Sequence, residues 1–239
     1  MINNKIKILN KKKISQIKKK LDTNFEDTKC FNLSYNKSDI TANYNSYRKS
    51  AVLCLLIFTE SDHTFKIILT KRSEHMKYHK GQISLPGGKL ERKDKGDFKA
   101  CALREANEEI GFEKNKAIYL GKLNKYITGS GFLIQPIVVL LEEAQNFVMN
   151  RQEVTSILHF PVNYLLSGDV INKVFLDEDQ NKYFLNIYWK KNSIKDKVQS
   201  LPKDTQSLLD FVNGSDILNQ RLSQTAIVSK EKGDMLFSE

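Results

Sequence analysis

Three glutamates in the middle of the chain have the type and spacing that a metal-dependent reaction needs. Glu105, Glu108 and Glu109 recur at positions i, i+3 and i+4, so on a helix their carboxylates lie on one face. Like charges this close repel one another, and a cation would offset that repulsion. Carboxylate oxygens in this number favour Mg²⁺ or Mn²⁺, especially where the ion also bridges substrate phosphates. An ordinary exposed acidic helix is the alternative that these three residues alone leave open.

A glycine pair upstream of the acidic segment strengthens the metal hypothesis. Gly87 and Gly88 follow the sequence Ser-Leu-Pro at residues 84–86. Because glycine has no side chain, its backbone can approach a ligand or an ion closely. A glycine carbonyl and the carboxylates of the helix could therefore share one ion.

The glutamates need a helix to position them, and the sequence predicts one with clear ends. The helix is predicted to run from about Asp97 to Ile110, and Gly111 is a natural stop. Leu103 and Ala106 fall on the same side as Ile110, opposite the acids. This apolar side is expected to pack against a sheet.

The segments around this helix predict strands. The continuous apolar run at residues 51–58 is typical of a strand buried on both faces. Further strands are predicted at residues 65–70, 117–122, 132–141 and 184–189. Residues 153–166 are predicted to start as a strand and to become a helix after Pro161. Strands mixed with one strong central helix indicate the α/β class and a sandwich architecture.

Charge is concentrated at the start of the chain. The net charge is +10, and residues 1–20 contain eight lysines and no acid. Ile14, Ile17 and Leu21 fall at helical spacing in this stretch and predict a short amphipathic helix. A lysine run is usually a solvated face or tail, and this one has no interleaved aromatic residues for stacking bases. We therefore do not expect nucleic acid as a partner.

Cysteine usage and hydropathy indicate the compartment. Cys30, Cys54 and Cys101 are far apart and show no paired spacing, so neither a disulfide framework nor a zinc site is expected. No apolar run approaches the roughly 20 residues needed to span a bilayer. The prediction is a cytoplasmic protein without a membrane partner.

The chain divides into three predicted regions. Residues 1–45 form a basic N-terminal appendage, residues 46–190 form the catalytic domain, and residues 191–239 form a C-terminal extension of uncertain structure. Self-association into a homodimer is left open.

The glycine pair and the acidic helix together resemble a known motif. The sequence Gly88-x5-Asp94, followed by Arg-Glu-Ala-Asn-Glu-Glu-Ile-Gly-Phe at residues 104–112, resembles the Nudix box, G-x5-E-x7-R-E-U-x-E-E-x-G-U. Aspartate replaces the first glutamate of that box, and the stretch between Gly88 and Arg104 is two residues longer. The resemblance implies a Nudix-type α-β-α sandwich with a mixed sheet.

A second segment resembles one branch of this family. Leu-Thr-Lys-Arg-Ser at residues 69–73 and His-x-Gly-Gln-x-Ser-x-Pro-Gly-Gly at residues 79–88 are similar to the segment that precedes the box in coenzyme A diphosphatases. Leu85 stands where phenylalanine is usual. The resemblance covers about residues 50–165.

The resemblance implies a role for individual residues of the acidic helix. Glu108 and Glu109 would bind the divalent cation, Mg²⁺ or Mn²⁺, with the Gly87 carbonyl as a further ligand. Glu105 would either complete the metal site or act as general base on the attacking water, oriented by Arg104. Such an ion would neutralise the diphosphate and lower the pKa of the water.

Four residues upstream are candidates for substrate contacts. Arg72 and Lys71 are candidates for phosphate binding, because arginine offers a planar bidentate fork. A solvated strand end is the alternative for Lys71. His79 and Gln82 either contact the substrate or hold the shape of their loop.

The resulting hypothesis is hydrolysis of a small-molecule substrate, coenzyme A or its thioesters, to 3′,5′-ADP and 4′-phosphopantetheine or its acyl form. The basic protein would attract so anionic a substrate. Two alternatives stay open. One is a Nudix hydrolase of ADP-ribose, NADH or a dinucleotide polyphosphate, and the other is a non-catalytic Nudix module that binds nucleotide or RNA through the basic N-terminus.

Overall fold

The computed structural model of this chain describes residues 11–24, 30–32, 46–59, 64–77, 79–128, 131–141, 145–162, 171–175, 183–189 and 225–229. The helices are α1 (Lys11–Asn24) and α2 (Phe98–Ile110). The strands are β1 (Cys30–Asn32), β2 (Arg48–Thr59), β3 (Thr64–Arg72), β4 (Ile83–Ser84), β5 (Gly87–Lys89), β6 (Ala117–Lys122), β7 (Lys125–Ile127), β8 (Phe132–Leu141), β9 (Val154–Pro161), β10 (Ile171–Phe175), β11 (Tyr183–Trp189) and β12 (Thr225–Ser229).

A mixed sheet forms the centre of the fold. Its main path has the strand order β1-β7-β8-β2-β3-β4, while β5 pairs with β2, β6 with β8 and β9 with β3. Strands β2 and β8 run parallel, whereas β2 and β3 run antiparallel. The first half of β2 also pairs with β5, which brings the glycine pair next to Ala51 and Val52.

Two helices cover opposite faces of this sheet. Along β2 the side chains alternate, so that Leu53 and Leu55 pack on the α2 side while Cys54 and Leu56 pack on the α1 side. The α2 side is closed mainly by the apolar residues of α2, including Ala106 and Ile110. The predicted α-β-α sandwich with a mixed sheet is therefore confirmed.

Helix α1 belongs to this core rather than hanging outside it. Ile17 and Leu21 are buried on the α1 side of the sheet, and Ile14 packs against the same cluster. The predicted amphipathic helix is thus confirmed. A Cβ on Gly121 of β6 would lie 2.9 Å from the Leu21 Cβ, so the helix sits directly on that strand.

A small second sheet lies near the end of the chain. It has the strand order β10-β11-β12, with β10 antiparallel and β12 parallel to β11. The three predicted regions stay predictions, and two contacts cross their boundaries. Helix α1, from the predicted N-terminal appendage, packs on the sheet of the predicted catalytic domain. Strand β12, from the predicted C-terminal extension, pairs with β11 of the predicted catalytic domain. Residues 163–166, predicted as a helix, lie outside the described residues.

Candidate active site

Helix α2 has the ends that its sequence predicted. Asp97 is the N-cap, and its carboxylate accepts a hydrogen bond of 2.8 Å from the backbone N–H of Lys99. Gly111 ends the helix in the left-handed conformation, at φ 67°, and its N–H donates to the carbonyls of Ala106 and Asn107. Both ends are therefore fixed by local hydrogen bonds, which keeps the acidic side chains at defined heights along the helix.

The glycine pair of β5 makes room for the acidic helix. A Cβ on Gly87 would lie 2.4 Å from the carbonyl oxygen of Ala51, which is backbone and cannot move away. A Cβ on Gly88 would lie 2.3 Å from the carboxyl carbon of Glu105. The Glu105 side chain thus occupies the space that any other residue at position 88 would need.

Hydrogen bonds from two neighbouring side chains fix β5. The Ser50 hydroxyl donates to the Gly88 carbonyl at 2.5 Å, and the Cys101 thiol donates to the Lys89 carbonyl at 3.3 Å. Cys101 is buried, and burial raises the pKa of its thiol to about 12. This cysteine therefore stays protonated and positions the backbone instead of acting as a nucleophile.

Replacing Gly88 by alanine is expected to displace Glu105 and to lower kcat of the reaction proposed below by at least about tenfold, because misplacing a reacting group by about 1 Å costs up to about a hundredfold. Steady-state kinetics at saturating divalent metal measures this change. Gly96→Ala is the control, since a Cβ at Gly96 meets nothing within 4 Å and adds only backbone strain at φ 82°. Equal kcat values for Gly88→Ala and the wild type would contradict the positioning role.

Arg104 is the centre of the polar network on α2. Its Nε and Nη2 donate to the two carboxylate oxygens of Asp94, each at 2.9 Å. Its Nη1 donates to Glu105 at 2.8 Å and to Glu108 at 3.0 Å, and its Nη2 also donates to the Lys89 carbonyl at 3.0 Å. One guanidinium thus connects β5, the loop before α2 and two acids of the helix.

Asp94 holds Arg104 in this position. Its side chain is 3% exposed, and it also accepts a hydrogen bond of 2.8 Å from the backbone N–H of Glu91. The hydrogen bonds from Arg104 lower the pKa of Asp94 to about 2. Aspartate in place of the glutamate of the general motif therefore acts as the partner of Arg104. Asp94 was not among the site residues predicted from the sequence, although its position in the motif indicated a role in the site.

Glu109 is buried with one of its carboxyl oxygens unpaired. It is 3% exposed, and its Oε2 finds no hydrogen-bond partner in the part of the chain that the structure describes. Burial raises the pKa of Glu109 to about 8, and the charges of Glu105 and Glu153 add to that rise. The charge of Arg72 and a hydrogen bond from the Gly87 backbone act in the opposite direction.

Glu105 and Glu108 have different surroundings although they share Arg104. Burial raises the pKa of Glu105, and the hydrogen bond from Arg104 opposes this rise. Partial desolvation alone would raise the pKa of Glu108, but hydrogen bonds from Lys93 and Arg104 and their charges lower it. The Glu108 side chain is 45% exposed and lies 3.1 Å from the Lys93 Nζ.

The three predicted carboxylate ligands do not converge on one point. Glu108 is turned towards Lys93, whereas Glu109 faces Arg72 and Glu153. Within the described ranges, no three histidine, cysteine, aspartate or glutamate side chains are grouped as ligands of a single ion. The unpaired Oε2 of Glu109 nevertheless fits a cation, because a buried carboxylate requires a positive partner. The shared metal site stays a prediction.

The four upstream candidates occupy different faces. Side chains alternate along β3, so Arg72 lies on the α2 side with Ile68, while Lys71 lies on the α1 side with Leu69. This placement separates Lys71 from the acids. His79, at φ 56°, accepts a hydrogen bond of 3.3 Å from the Gln82 N–H, and the Gln82 carbonyl accepts one of 2.8 Å from the Arg72 N–H. The backbones of His79 and Gln82 therefore shape the turn beside Arg72.

No pattern in the sequence distinguishes Glu153 from an ordinary exposed glutamate. Its backbone carbonyl accepts a hydrogen bond of 2.8 Å from the Ser73 N–H, which ties the turn before β9 to the end of β3. The Asn150 side chain donates to its carboxylate at 3.3 Å. The pairing of β9 with β3 and a hydrogen bond from the Asn150 N–H to the Glu109 carbonyl bring Glu153 near Glu109, and no local pattern in the sequence could reveal these contacts.

Comparison with known proteins agrees with the motif. Residues 47–172 match the family model described as NUDIX domain. The chain is 30% identical to the peroxisomal coenzyme A diphosphatase ndx-8 of Caenorhabditis elegans, over 59% of this chain and 60% of that protein. It is 33% identical to the uncharacterized Nudix hydrolase NudL of Photorhabdus laumondii, over 52% and 65%, respectively. Nudix hydrolase 15, mitochondrial, of Arabidopsis thaliana is 32% identical over 51% of this chain and 43% of that protein. The chain thus spans less than two thirds of each of these relatives.

Proposed function

This chain belongs to the NUDIX domain family, and we propose that it hydrolyses the diphosphate bond of coenzyme A or its thioesters in a reaction that depends on Mg²⁺ or Mn²⁺. The products are 3′,5′-ADP and 4′-phosphopantetheine or its acyl form. The observation that carries the proposal is the buried Glu109 carboxylate, whose Oε2 is unpaired among the described residues beside Glu105 and the glycine strand β5.

The metal would be held by Glu109, Glu105 and Glu108, together with the Gly87 carbonyl. A divalent cation bound there supplies charge neutralisation of the diphosphate and lowers the pKa of a bound water. Glu109 is the ligand that the structure supports best, because its burial near two other acids is costly without a cation. Glu108 is exposed enough to exchange its contacts with Lys93 and Arg104 for others.

The remaining polar residues have roles that follow from their contacts. Arg104 fixes one oxygen of Glu105 at 2.8 Å, so the second oxygen of Glu105 is aimed by the same contact. Burial raises the pKa of Glu105, which makes it a stronger base for the attacking water than an exposed glutamate. We assign a substrate phosphate to Arg72, because its charge acts on Glu109 on the α2 side of the sheet.

Two features support coenzyme A as the substrate. The segment at residues 69–88 resembles the one that precedes the box in coenzyme A diphosphatases. One of the relatives that the chain matches bears the name of a coenzyme A diphosphatase. Another nucleoside diphosphate derivative is the alternative within the same chemistry.

The remaining partners and the compartment stay predictions. Two of the matched relatives are named peroxisomal and mitochondrial, while the cysteine pattern favours the cytoplasm. Neither described helix combines the length and the apolar character that crossing a membrane requires. A non-catalytic module is the less favoured alternative, because Glu105, Glu108 and Glu109 are all present. A homodimer is not needed for any contact described above.

A substrate panel tests the proposal. The full chain is incubated with Mg²⁺ or Mn²⁺ and, separately, with coenzyme A, acetyl-coenzyme A, ADP-ribose, NADH and diadenosine polyphosphates, and the products are identified by mass. We expect kcat/KM to be highest for coenzyme A or its thioester. If ADP-ribose or a dinucleotide is hydrolysed and coenzyme A is not, the proposed substrate is rejected and the proposed reaction class is retained. No turnover of any of these compounds with either metal would reject the enzymatic proposal.

A further inference from the structure

Residues 145–150 lie across the C-terminal end of α2 and bond to its last turn. The Val148 N–H donates to the Ile110 carbonyl at 3.0 Å, and the Asn150 N–H donates to the Glu109 carbonyl at 2.9 Å. The last four carbonyls of an α-helix have no partner within the helix, so contacts of this kind fix the helix end. The segment therefore holds the turn of α2 that carries Glu109, the buried acid of the candidate site.

Asn150 also begins the single turn that leads into β9. Its carbonyl accepts hydrogen bonds from the N–H groups of Glu153 at 3.0 Å and Val154 at 2.8 Å, and its Oδ1 accepts one of 3.2 Å from the Gln152 N–H. A side-chain oxygen that accepts from the backbone two residues further on makes the contact of an N-cap. Because Oδ1 has this partner, the Nδ2 of the same amide is left to donate elsewhere.

The Nδ2 of Asn150 contacts Glu153. It donates to the Glu153 carboxylate at 3.3 Å, and both side chains are half-buried. The Glu153 backbone is fixed as well, because its carbonyl accepts a hydrogen bond of 2.8 Å from the Ser73 N–H. Asn150 thus contacts two acids, Glu109 through its backbone N–H and Glu153 through its side chain.

The residue type at position 150 separates a capping role from a second role. Asparagine, aspartate and serine all serve well as N-caps, so the cap alone does not require an amide. An ionised aspartate here would cap the turn, but it has no hydrogen to donate and would repel Glu153. Serine would also cap the turn, but it lacks the amide nitrogen that contacts Glu153. The amide of Asn150 accepts from the backbone and donates to the acid at the same time.

We propose that Asn150 is a positioning residue of the candidate active site, which holds the Glu153 carboxylate beside Glu109 and thereby strengthens the binding of the divalent cation. This inference rests on the proposed function and adds the residue that links two of its acids. The charges of Glu153 and Glu109 act on each other, so a cation bound nearby stabilises both. Hydrogen-bond partners that orient the acids around a metal typically change its affinity by about 10–100-fold.

Calorimetric titration of the full chain with Mn²⁺, without substrate, tests this inference. Asn150→Ser keeps a capping oxygen and the backbone contact with Glu109, and it removes the amide that contacts Glu153. We expect this variant to bind Mn²⁺ about tenfold more weakly than the wild type, while its urea midpoint stays near that of the wild type. Wild-type Mn²⁺ affinity in Asn150→Ser would overturn the inference.

A double-mutant cycle separates this role from a purely structural one. Because Asn150 is proposed to act through the charge of Glu153, Asn150→Ser in a Glu153→Gln background should change the Mn²⁺ affinity by less than about twofold. An equal loss of affinity in both backgrounds would mean that Asn150 acts only on the fold of the turn, and the positioning role would be rejected. This comparison holds even if Asn150→Ser lowers the urea midpoint, because such a loss is common to both backgrounds.

Gln152→Ala is the matched control. Gln152 lies in the same turn, its side chain is exposed, and the replacement retains the backbone N–H that contacts Asn150. The Mn²⁺ affinity of Gln152→Ala should equal that of the wild type. A loss as large as that of Asn150→Ser would mean that any change in this turn weakens the binding of Mn²⁺, against the inference.

The same titration distinguishes this inference from the proposed function. If the wild type binds Mn²⁺ and Asn150→Ser binds it equally well, the inference fails and the proposed function stands. If the wild type binds neither Mn²⁺ nor Mg²⁺, the metal dependence of the proposed function fails, and the inference fails with it. Binding by the wild type and by Gln152→Ala, with weaker binding by Asn150→Ser, supports the positioning role.

Discussion

Replacing Glu109 by glutamine is expected to lower kcat for coenzyme A by at least about 10³-fold while the protein stays folded. The removed charge is the buried carboxylate whose Oε2 is unpaired among the described residues. An amide is a much weaker ligand for Mg²⁺ or Mn²⁺, so the charge stabilisation that the ion supplies in the transition state is lost. The side chain keeps its size, and packing of α2 on the sheet should not change.

Stability separates this effect from misfolding. When no cation is bound, burial and the charges of Glu105 and Glu153 make ionisation of Glu109 unfavourable, so its carboxylate adds no stability near neutral pH. Without added metal, the free energy of unfolding of Glu109→Gln should therefore equal or exceed that of the wild type. Urea unfolding and Mn²⁺ titration measure the two properties. Glu113→Gln is the control, since the exposed Glu113 side chain forms a surface pair with Lys116. Wild-type Mn²⁺ affinity in Glu109→Gln would contradict its role as a ligand.

Replacing Asp94 by asparagine is expected to lower the free energy of unfolding by about 3 kcal/mol at pH 7. The substitution removes the charged partner of Arg104, whose side chain is 14% exposed and pairs with a carboxylate that is 3% exposed. Removing one partner of a buried ion pair typically costs about 3–5 kcal/mol. The contacts of Arg104 with Glu105 and Glu108 remain, so we expect the lower end of this range. The contact with the Glu91 N–H, which also stabilises the loop before α2, weakens at the same time.

The pH dependence of this difference has a definite sign. The folded protein lowers the pKa of Asp94 from 3.8 to about 2, so its contribution is complete above pH 4 and is lost as the pH falls towards 2. The stability difference between the wild type and Asp94→Asn should therefore be constant near neutral pH and shrink below about pH 4. Urea unfolding at several pH values measures it. A stability difference below about 0.5 kcal/mol at pH 7, as expected for an exposed pair such as Glu113–Lys116, would contradict the role of Asp94 in holding Arg104.

Much of the fold could be predicted from local sequence patterns. Helix α2 could be predicted because Asp97 and Gly111 have clear capping chemistry and the apolar positions recur every three to four residues. The bounds of β6 and β8 also agree with the prediction, because both segments are largely apolar and each begins directly after a polar or glycine residue. The strands β4, β5 and β7 have only two or three residues, too few to show a period.

The candidate site shows where local patterns stop being informative. Helical spacing placed Glu105, Glu108 and Glu109 on one face, but it could not tell which would be buried. That difference depends on the neighbours: Glu109 faces Arg72 at the end of β3, while Glu108 faces Lys93 in the loop before α2. Burial of this kind is decided by tertiary packing, which spacing along one helix does not encode.

The positions of two further site residues depend on the geometry and the pairing of strands. The sequence treated Lys71 and Arg72 together, yet adjacent residues of a strand point to opposite faces, so Arg72 alone joins the acids. Glu153 lies near Glu109 because β9 pairs with β3 and because the Asn150 N–H donates to the Glu109 carbonyl at 2.9 Å. The resemblance to a family identified the type of site, whereas the identity of its supporting residues required the fold.

Mass analysis of the products formed from coenzyme A decides whether this chain hydrolyses its diphosphate bond. The full chain, coenzyme A and Mg²⁺ are incubated together, with Glu109→Gln and an excess of chelator as parallel samples. We expect 3′,5′-ADP and 4′-phosphopantetheine in equal amounts from the wild type, and almost none in the two parallel samples. Intact coenzyme A with the wild-type protein, or equal product from Glu109→Gln, would contradict it.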